Sequence, residues 1–348
     1  MPQTPDQLYM QRCLQLAATA GGWVAPNPMV GAVLVHESRI IGEGYHQLYG
    51  QAHAEVNCIR SVKEEDRHLI SQSTLYVSLE PCAHKGKTPP CADLIIQHQI
   101  PHVVLACRDP FTEVNGRGIE KLKQAGVEVR EGLMEQEARW LNRRFFTFHE
   151  HKKPYVLLKW AQTANGMIGN ADGSRLLISN KAVNRLVHRW RSEEAAILVG
   201  TNTAQLDNPS LINQYWSGPS PVRVVLDRSL RLPPQLKIFD GKVRTVVLNK
   251  KKQSARGMIT YHKIEEKQSL PWEIMQALYD LQLQSVLIEG GAQLMQLFID
   301  AGLWNEARII TSPHISNNPG ISAPRIKGAR LYKNYQILGD RIEEYHRL

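Results

Sequence analysis

One histidine, two cysteines and a glutamate carry the chemistry most directly readable in this chain. His53 stands two positions before Glu55, and Pro81-Cys82 and Cys91 follow. An imidazole and two thiolates make three zinc ligands and leave the fourth tetrahedral position to a water. Water held there is acidic enough to supply hydroxide near neutral pH, and Glu55 is free to move its proton to a ring nitrogen and a departing amine. A structural zinc site closes with four protein ligands and has no use for a free carboxylate. The pattern therefore reads as a catalytic centre, against the alternatives of a Cys82–Cys91 disulfide or of three residues with no common purpose.

Two element ends must converge to build it. His53 and Glu55 fall at the start of a helix predicted from about Ala52, and Cys82 follows the β-rich run Thr74 to Leu79. Pro81 and Pro89-Pro90 hold φ near −65° and restrict the loop between the two cysteines. Around them the first half alternates. Thr4-Pro5-Asp6-Gln7 reads as a capping box with proline at the first helical position, opening a helix to about Ala20. Strands at Val30 to His36 and Arg39 to Tyr45 precede the site. A helix from about Pro90 to His98, the strand His102 to Ala106, a helix near Gly118 to Ala125, the strand Val127 to Arg130 and a helix from Glu135 to about Phe146 follow it. Such alternation predicts a sheet covered on both faces. The polar stretch His149 to Pro154 is the linker candidate, so the domains are placed at 1–150 and 151–348, in keeping with a length that exceeds one core.

The second half continues as α/β: strand Tyr155 to Trp160, helix Lys181 to Ser192, strands Ala195 to Val199, Val222 to Leu226 and Val243 to Leu248, helix Trp272 to Leu281, strand Ser285 to Ile288, helix Ala292 to Ala301. Its one suggestive motif is Ile288-Glu289-Gly290-Gly291, a strand ending in paired glycines just before a helix, which can bring backbone amides to a phosphate. There is no G-x-G-x-x-G, which argues against an ordinary dinucleotide-binding unit.

His-x-Glu with Pro-Cys is the signature of zinc deaminases acting on nucleobase-like rings. Eight residues separate Cys82 from Cys91, where such enzymes commonly have two. That loop, Pro81-Cys82-Ala83-His84-Lys85-Gly86-Lys87-Thr88-Pro89-Pro90-Cys91, together with Asn27-Pro28-Met29-Val30-Gly31 and Gly44-Tyr45-His46, closely resembles the deaminase domain of the bifunctional RibD family of riboflavin biosynthesis. The resemblance covers roughly residues 5 to 148. It implies a cytidine-deaminase-like α/β/α domain acting on a phosphoribosylated pyrimidine, with Lys87 at the family's motif lysine. Lys87 and His84 are suitable donors to ring oxygens or phosphate, and Asn27 offers a paired donor and acceptor to an amide-like ring edge. His46 reads equally as a substrate contact or as a strand-end histidine.

From about Pro154 to the mid-300s, Lys159-Trp160-Ala161-Gln162-Thr163, Arg189-Trp190-Arg191-Ser192-Glu193, Gly200 to Leu211 and Ile288 to Gly291 resemble the reductase domain of the same family. That resemblance implies a dihydrofolate-reductase-like α/β fold and NADPH. By position, Ala161, Thr203, Asp207 and the run Gly290, Gly291, Ala292, Gln293, Leu294 would line the cofactor. Ser174, Arg191, Leu211 and Glu289 would line the substrate, with Arg191 a phosphate fork and Glu289 an acceptor for ribose hydroxyls. The chain departs from the family at Asn165-Gly166, where aspartate is usual, at Arg175-Leu176-Leu177-Ile178, which lacks a tryptophan, and at Ile212-Asn213-Gln214, which lacks an arginine. The extra residue near 175 leaves Ser174 and Arg175 as competing alignments.

Composition agrees with such an enzyme. No stretch of eighteen apolar residues and no basic-then-apolar leader points to a membrane or to secretion. Five cysteines in no regular framework suit a reducing cytoplasm. A net charge of +9 spread along the chain suits anionic small molecules, without the aromatic-rich basic stripe of a nucleic-acid binder. The reading is a zinc hydrolase and NADPH-dependent oxidoreductase, with one zinc per chain. It deaminates a diaminopyrimidinone carrying phosphoribose and reduces the ribosyl group to ribityl, with no nucleic-acid or membrane partner. The sequence leaves homo-oligomerisation open. Its rivals are a polynucleotide base deaminase with a basic RNA-binding second domain and a non-enzymatic zinc-stabilised module.

Overall fold

The structure, a computed structural model, describes residues 3–83, 89–111, 115–172, 174, 176–265, 267–316 and 320–348. The chain divides into two compact units, Met1–His151 and Lys152–Leu348.

The first unit opens with α1 (Pro5–Ala18). Its N-terminus is the predicted capping box: Thr4 Oγ1 accepts from the Gln7 amide at 3.3 Å, and Gln7 Oε1 from the Thr4 amide at 2.9 Å. Strands β1 (Gly31–His36) and β2 (Arg39–Tyr45) form a hairpin, followed by α2 (Ala54–Arg60), β3 (Thr74–Val77), α3 (Cys91–Gln97), β4 (His102–Leu105), α4 (Arg117–Gln124) and β5 (Glu128–Arg130). The sheet order is β2-β1-β3-β4-β5, antiparallel from β2 to β3 and parallel from β3 to β5.

Period-two alternation with apolar residues on both faces demands cover on both sides. Ala32, Leu34, Leu75 and Val77 pack with Ala54, Cys58 and Ile95, while Val33, Val35 and Tyr76 pack with Met10, Cys13 and Phe146. The unit is thus the expected three-layer α/β/α arrangement.

Two expectations fail near its end. The single helix predicted from Glu135 to Phe146 is two, α5 (Glu135–Leu141) and α6 (Arg143–His151). The break falls at Asn142, whose carboxamide exchanges hydrogen bonds with the backbone of Met29, both at 2.8 Å. A partner 113 positions away outweighs local propensity. In addition, His149 to His151, predicted as linker, instead complete α6.

The second unit contains β6 (Tyr155–Gln162), β7 (Met167–Asn170), α7 (Lys181–Glu193), β8 (Ala196–Gly200), α8 (Thr201–Asp207), β9 (Val222–Leu226), β10 (Thr245–Asn249), β11 (Ser254–Arg256) and β12 (Ile259–Lys263). It continues with α9 (Leu270–Asp280), β13 (Ser285–Gly290), α10 (Ala292–Asp300), β14 (Glu306–Thr311), β15 (Gly320–Ser322), β16 (Ala329–Ile337) and β17 (Asp340–Arg347).

Its main sheet runs β11-β12-β10-β9-β8-β13-β6-β14-β17-β16, parallel from β12 to β14 and antiparallel at both ends. The central strands bury both faces, with Val156 and Leu158 in one cluster and Leu157 in another. The sheet is wider than the sequence reading predicts, which stops at α10. Strand β16 is exposed along most of its length, so its residues lack the apolar alternation that marks a half-buried strand. Among the described residues no helix is long and apolar enough to cross a membrane.

Candidate active sites

In the first unit the two helix starts bring the ligand candidates together. His53 is the extended N-cap residue of α2, and Cys91 is the first residue of α3. The loop entering α3 is held by its own backbone: the Cys91 amide donates to Cys82 Sγ at 3.3 Å and the Ala92 amide to the Cys82 carbonyl at 3.1 Å. His53 Nδ1 then lies 3.6 Å from Cys82 Sγ and 3.4 Å from Cys91 Sγ.

These separations test the site for zinc. With Zn–S about 2.3 Å and Zn–N about 2.0–2.1 Å, a tetrahedron has N···S edges of about 3.5–3.6 Å, and the observed distances fall beside that value. Acidity agrees. Hydrogen bonding from Cys91 draws the Cys82 thiol down to about 4, with His53 and the Cys91 amide adding, while Cys91 is pushed well above the ordinary thiol range by the same bond. Two sulfurs sharing a proton are what a dication fully ionises. All five cysteines are free, and Cys13, Cys58 and Cys107 are buried in the core as small residues.

Glu55, in the first turn of α2, is 3% exposed, and burial pushes its carboxyl up, with the Cys82 thiolate adding. A carboxyl biased toward the protonated form beside the metal ligands suits proton shuttling.

Two further carboxyls escape a motif-level reading. Glu80 accepts from the amides of Gly116 and Gly118 at 3.0 Å and of Asp109 at 3.3 Å, tying the strand exit before Pro81-Cys82 to the start of α4. The fit is close: a Cβ on Gly118 would lie 1.9 Å from the Pro81 carbonyl oxygen. Asp109 is 8% exposed and raised to about 7, chiefly by burial. Its signal in sequence is only a polar residue past a strand.

Asn27 is half-buried, its Nδ2 3.1 Å from His46 Nε2. His46 has its other ring nitrogen 3.0 Å from the Ala52 carbonyl and is 2% exposed. Both ring nitrogens of His46 are thus engaged by protein groups. His84 and Lys87 lie outside the described residues.

In the second unit one cavity of about 1510 Å³ gathers all the residues expected there: Ala161, Ser174, Arg191, Thr203, Asp207, Leu211, Glu289, Gly290, Gly291, Ala292, Gln293 and Leu294. It opens where β6, β8 and β13 end. Gly291, at φ 79°, turns β13 into α10, and a Cβ on Gly290 would meet Thr203 Cγ2 at 2.7 Å, so α8 packs directly on the glycine turn. Leu211 is 2% exposed and mostly core. Ser174 donates from amide and hydroxyl to Asp172 Oδ1 at 2.9 and 2.7 Å; Arg175, its rival in alignment, lies outside the described residues.

The Arg191 fork grips Glu289, Nε to Oε1 at 2.9 Å and Nη2 to Oε2 at 2.5 Å, and its third nitrogen donates to the Ile212 carbonyl at 3.4 Å. Three of its five N–H donors are thus engaged within the protein, two of them on Glu289, at a place where the sequence reading has a phosphate fork.

The same cavity adds Lys159 and His188, which sequence reasoning passes over. Burial lowers Lys159 below the ordinary lysine range, only partly offset by Glu289. Burial would raise Glu289, but Arg191 and Lys159 outweigh it and hold the carboxyl at about 2. His188 accepts from the Gln214 amide at 3.0 Å and is pushed down to about 4, first by burial and then by Arg191. Lys159 and Arg191 thus face the single carboxylate of Glu289 on the floor of the cavity. Asn165 bridges Thr163 Oγ1, at 2.7 Å, and the Ser316 backbone, at 2.9 and 3.1 Å.

Comparison with known proteins gives a family match in each half of the chain. Residues 3–107 match the model of the cytidine and deoxycytidylate deaminase zinc-binding region, and residues 154–316 that of the RibD C-terminal domain. The riboflavin biosynthesis protein RibD of Aquifex aeolicus is 37% identical over 319 residues, covering 89% of this chain and 87% of that protein. The chain belongs to the RibD family. Escherichia coli RibD is 33% identical, with 89% of this chain and 88% of that protein covered. A Thermotoga maritima crystal structure described as a diaminohydroxyphosphoribosylaminopyrimidine deaminase/5-amino-6-(5-phosphoribosylamino)uracil reductase superposes with TM-score 0.87 at 33% identity, over 99% of each chain. Acinetobacter baumannii RibD gives 0.89 at 31%, also over 99% of each. As a RibD-family member this chain is a bifunctional enzyme of riboflavin biosynthesis, with a cytidine-deaminase-like domain followed by a dihydrofolate-reductase-like domain.

Proposed function

We propose that the first unit, residues 1–150, hydrolytically deaminates 2,5-diamino-6-(5-phosphoribosylamino)pyrimidin-4(3H)-one. On this reading residues 151–348 then reduce the ribosyl group of 5-amino-6-(5-phosphoribosylamino)uracil to ribityl with NADPH. The observation that carries the reading is the convergence of His53 Nδ1 with the two sulfurs beside the buried Glu55. His53, Cys82 and Cys91 would hold one zinc ion per chain, which when bound supplies the Lewis acidity that makes water a nucleophile near neutral pH.

Glu55 takes the proton from the attacking water and delivers it to the ring nitrogen, then assists departure of the amine as ammonia; one C–O bond forms and one C–N bond breaks. Asn27, His84 and Lys87 orient the pyrimidine and its phosphoribosyl group.

In the second unit Gly290 through Leu294, with Ala161, Thr203 and Asp207, cradle NADPH, which supplies a hydride. Ser174, Leu211 and Glu289 line the substrate. The group of Lys159, Arg191 and Glu289 attracts its phosphate and holds the opened sugar against the cofactor. Five free cysteines and small-molecule substrates support a cytoplasmic location.

A two-stage assay tests this. Glu55→Gln should retain zinc and still oxidise NADPH on pre-deaminated substrate, while deamination falls by at least about 10²-fold. Loss of both activities in a folded protein would falsify two independent sites, and salt-dependent RNA binding without NADPH binding would favour the polynucleotide rival.

A further inference from the structure

We propose that His46 is a positioning residue of the deaminase site: it fixes the orientation of the Asn27 carboxamide, so that Asn27 turns its oxygen, not its nitrogen, away from His46 and toward the pyrimidine edge. The inference rests on the deaminase reading of the first unit.

The argument is one of donors and acceptors. The Ala52 carbonyl can only accept, and it lies 3.0 Å from His46 Nδ1, so Nδ1 carries the proton. In a neutral imidazole Nε2 is then a bare acceptor and needs a donor. The group 3.1 Å from it is the Asn27 amide, whose nitrogen alone can donate. Asn27 Nδ2 therefore faces His46 and Oδ1 faces the other way. The ring has no freedom to reverse this: His46 is 2% exposed, its own amide donates to the Val30 carbonyl at 2.9 Å, and its ring packs edge-on to the metal-ligand candidate His53 at 5.4 Å. The Asn27 backbone is pinned as well, its amide donating to the Val24 carbonyl at 2.8 Å.

The consequence is selectivity. The substrate edge that loses its amine carries N–H groups on the exocyclic amine and the adjoining ring nitrogen. An amide with its oxygen forward accepts from that edge, whereas a reversed amide would set donor against donor and leave both unsatisfied. The signal in sequence is faint, because Asn27 and His46 sit in separate motifs and nothing in their spacing says that they touch.

The tautomer is measured directly by imidazole ¹⁵N shifts on the zinc-loaded full chain, with His46 assigned by its disappearance in His46→Gln. Protonation at Nδ1 supports the proposal; protonation at Nε2 overturns it. Kinetics supply the second readout. Asparagine places a nitrogen near Nδ1 and glutamine places an oxygen near Nε2. His46→Gln should therefore keep the Asn27 bond and stay within about threefold of wild type, while His46→Asn should raise KM for deamination about tenfold with kcat little changed.

In an Asn27→Ala background His46→Asn should add less than about twofold; full additivity would show that His46 acts on the substrate by itself and would overturn the proposal. Zinc content is read for every variant. If His46→Asn fails to load zinc, the tautomer and the His46→Gln result still decide. A wild type without zinc or deamination would instead sink the deaminase reading, a distinct outcome.

Discussion

The two sites are assembled in opposite ways. The candidate metal group of the first unit comes from two short segments, each ending at the first residues of a helix, and its geometry is set by neighbouring backbone amides such as that of Cys91 on Cys82. The charged floor of the second unit joins Arg191 to Glu289 across 98 positions and adds Lys159 from a third element. A site built from local turns travels with its motif, whereas one built across a sheet exists only once the strands have paired.

That contrast is breakable. The largest effect is expected at Cys91→Ala, which removes a ligand outright. Zinc affinity should fall by more than the roughly 10–100-fold that follows loss of an outer partner, abolishing deamination while NADPH titration is unchanged. Metal analysis and cofactor fluorescence check it, and a loss of NADPH binding would argue that the sites are not separate.

Next comes Glu289→Gln. It leaves Arg191 and Lys159 without their carboxylate in a buried setting, and should destabilise the second unit by about 3–5 kcal/mol in urea unfolding, with zinc retained by the first. A change near zero would mean that the pair is solvated and that the cavity floor does not depend on tertiary packing.

His188 sharpens the comparison by pH. Its folded pKa, near 4, lies below the ordinary 6.5, so the unfolded chain binds the proton first. The stability that depends on neutral His188 should be complete above about 6.5, decline as pH falls toward about 4, and level off below. NMR titration of His188 and unfolding of His188→Gln check this; a titration midpoint at 6.5 would refute the packing argument.

The smallest effect belongs to Asn165→Asp, which restores the residue usual in the family but loses the donor to the Ser316 carbonyl. About 1 kcal/mol of stability should be lost, with NADPH affinity unchanged. That result would mark this departure from the family as compensated within its turn.

How much was legible beforehand follows the same division. The capping box at Thr4 and Gln7 was readable because both partners lie within one turn. The break at Asn142 was not, because its partner Met29 is remote. Strand β16 was missed because an exposed edge strand carries no burial pattern. In the second unit the resemblance placed every cavity residue it named among the lining, but not what those residues do to each other. Arg191, read as a phosphate fork, has donors on Glu289; Lys159 lies in a motif that gave it no role, and His188 lies in none.

By itself the sequence determined the candidate ligand set His53, Cys82 and Cys91, the candidate proton carrier Glu55, and the family resemblance carried by the eight-residue loop, since these depend on residue type and short spacing. Only the tertiary structure decided which polar groups remain available. The buried His46 holds Asn27, and Glu289 holds Arg191, because a buried donor or acceptor must be satisfied by whichever partner the packing brings within reach.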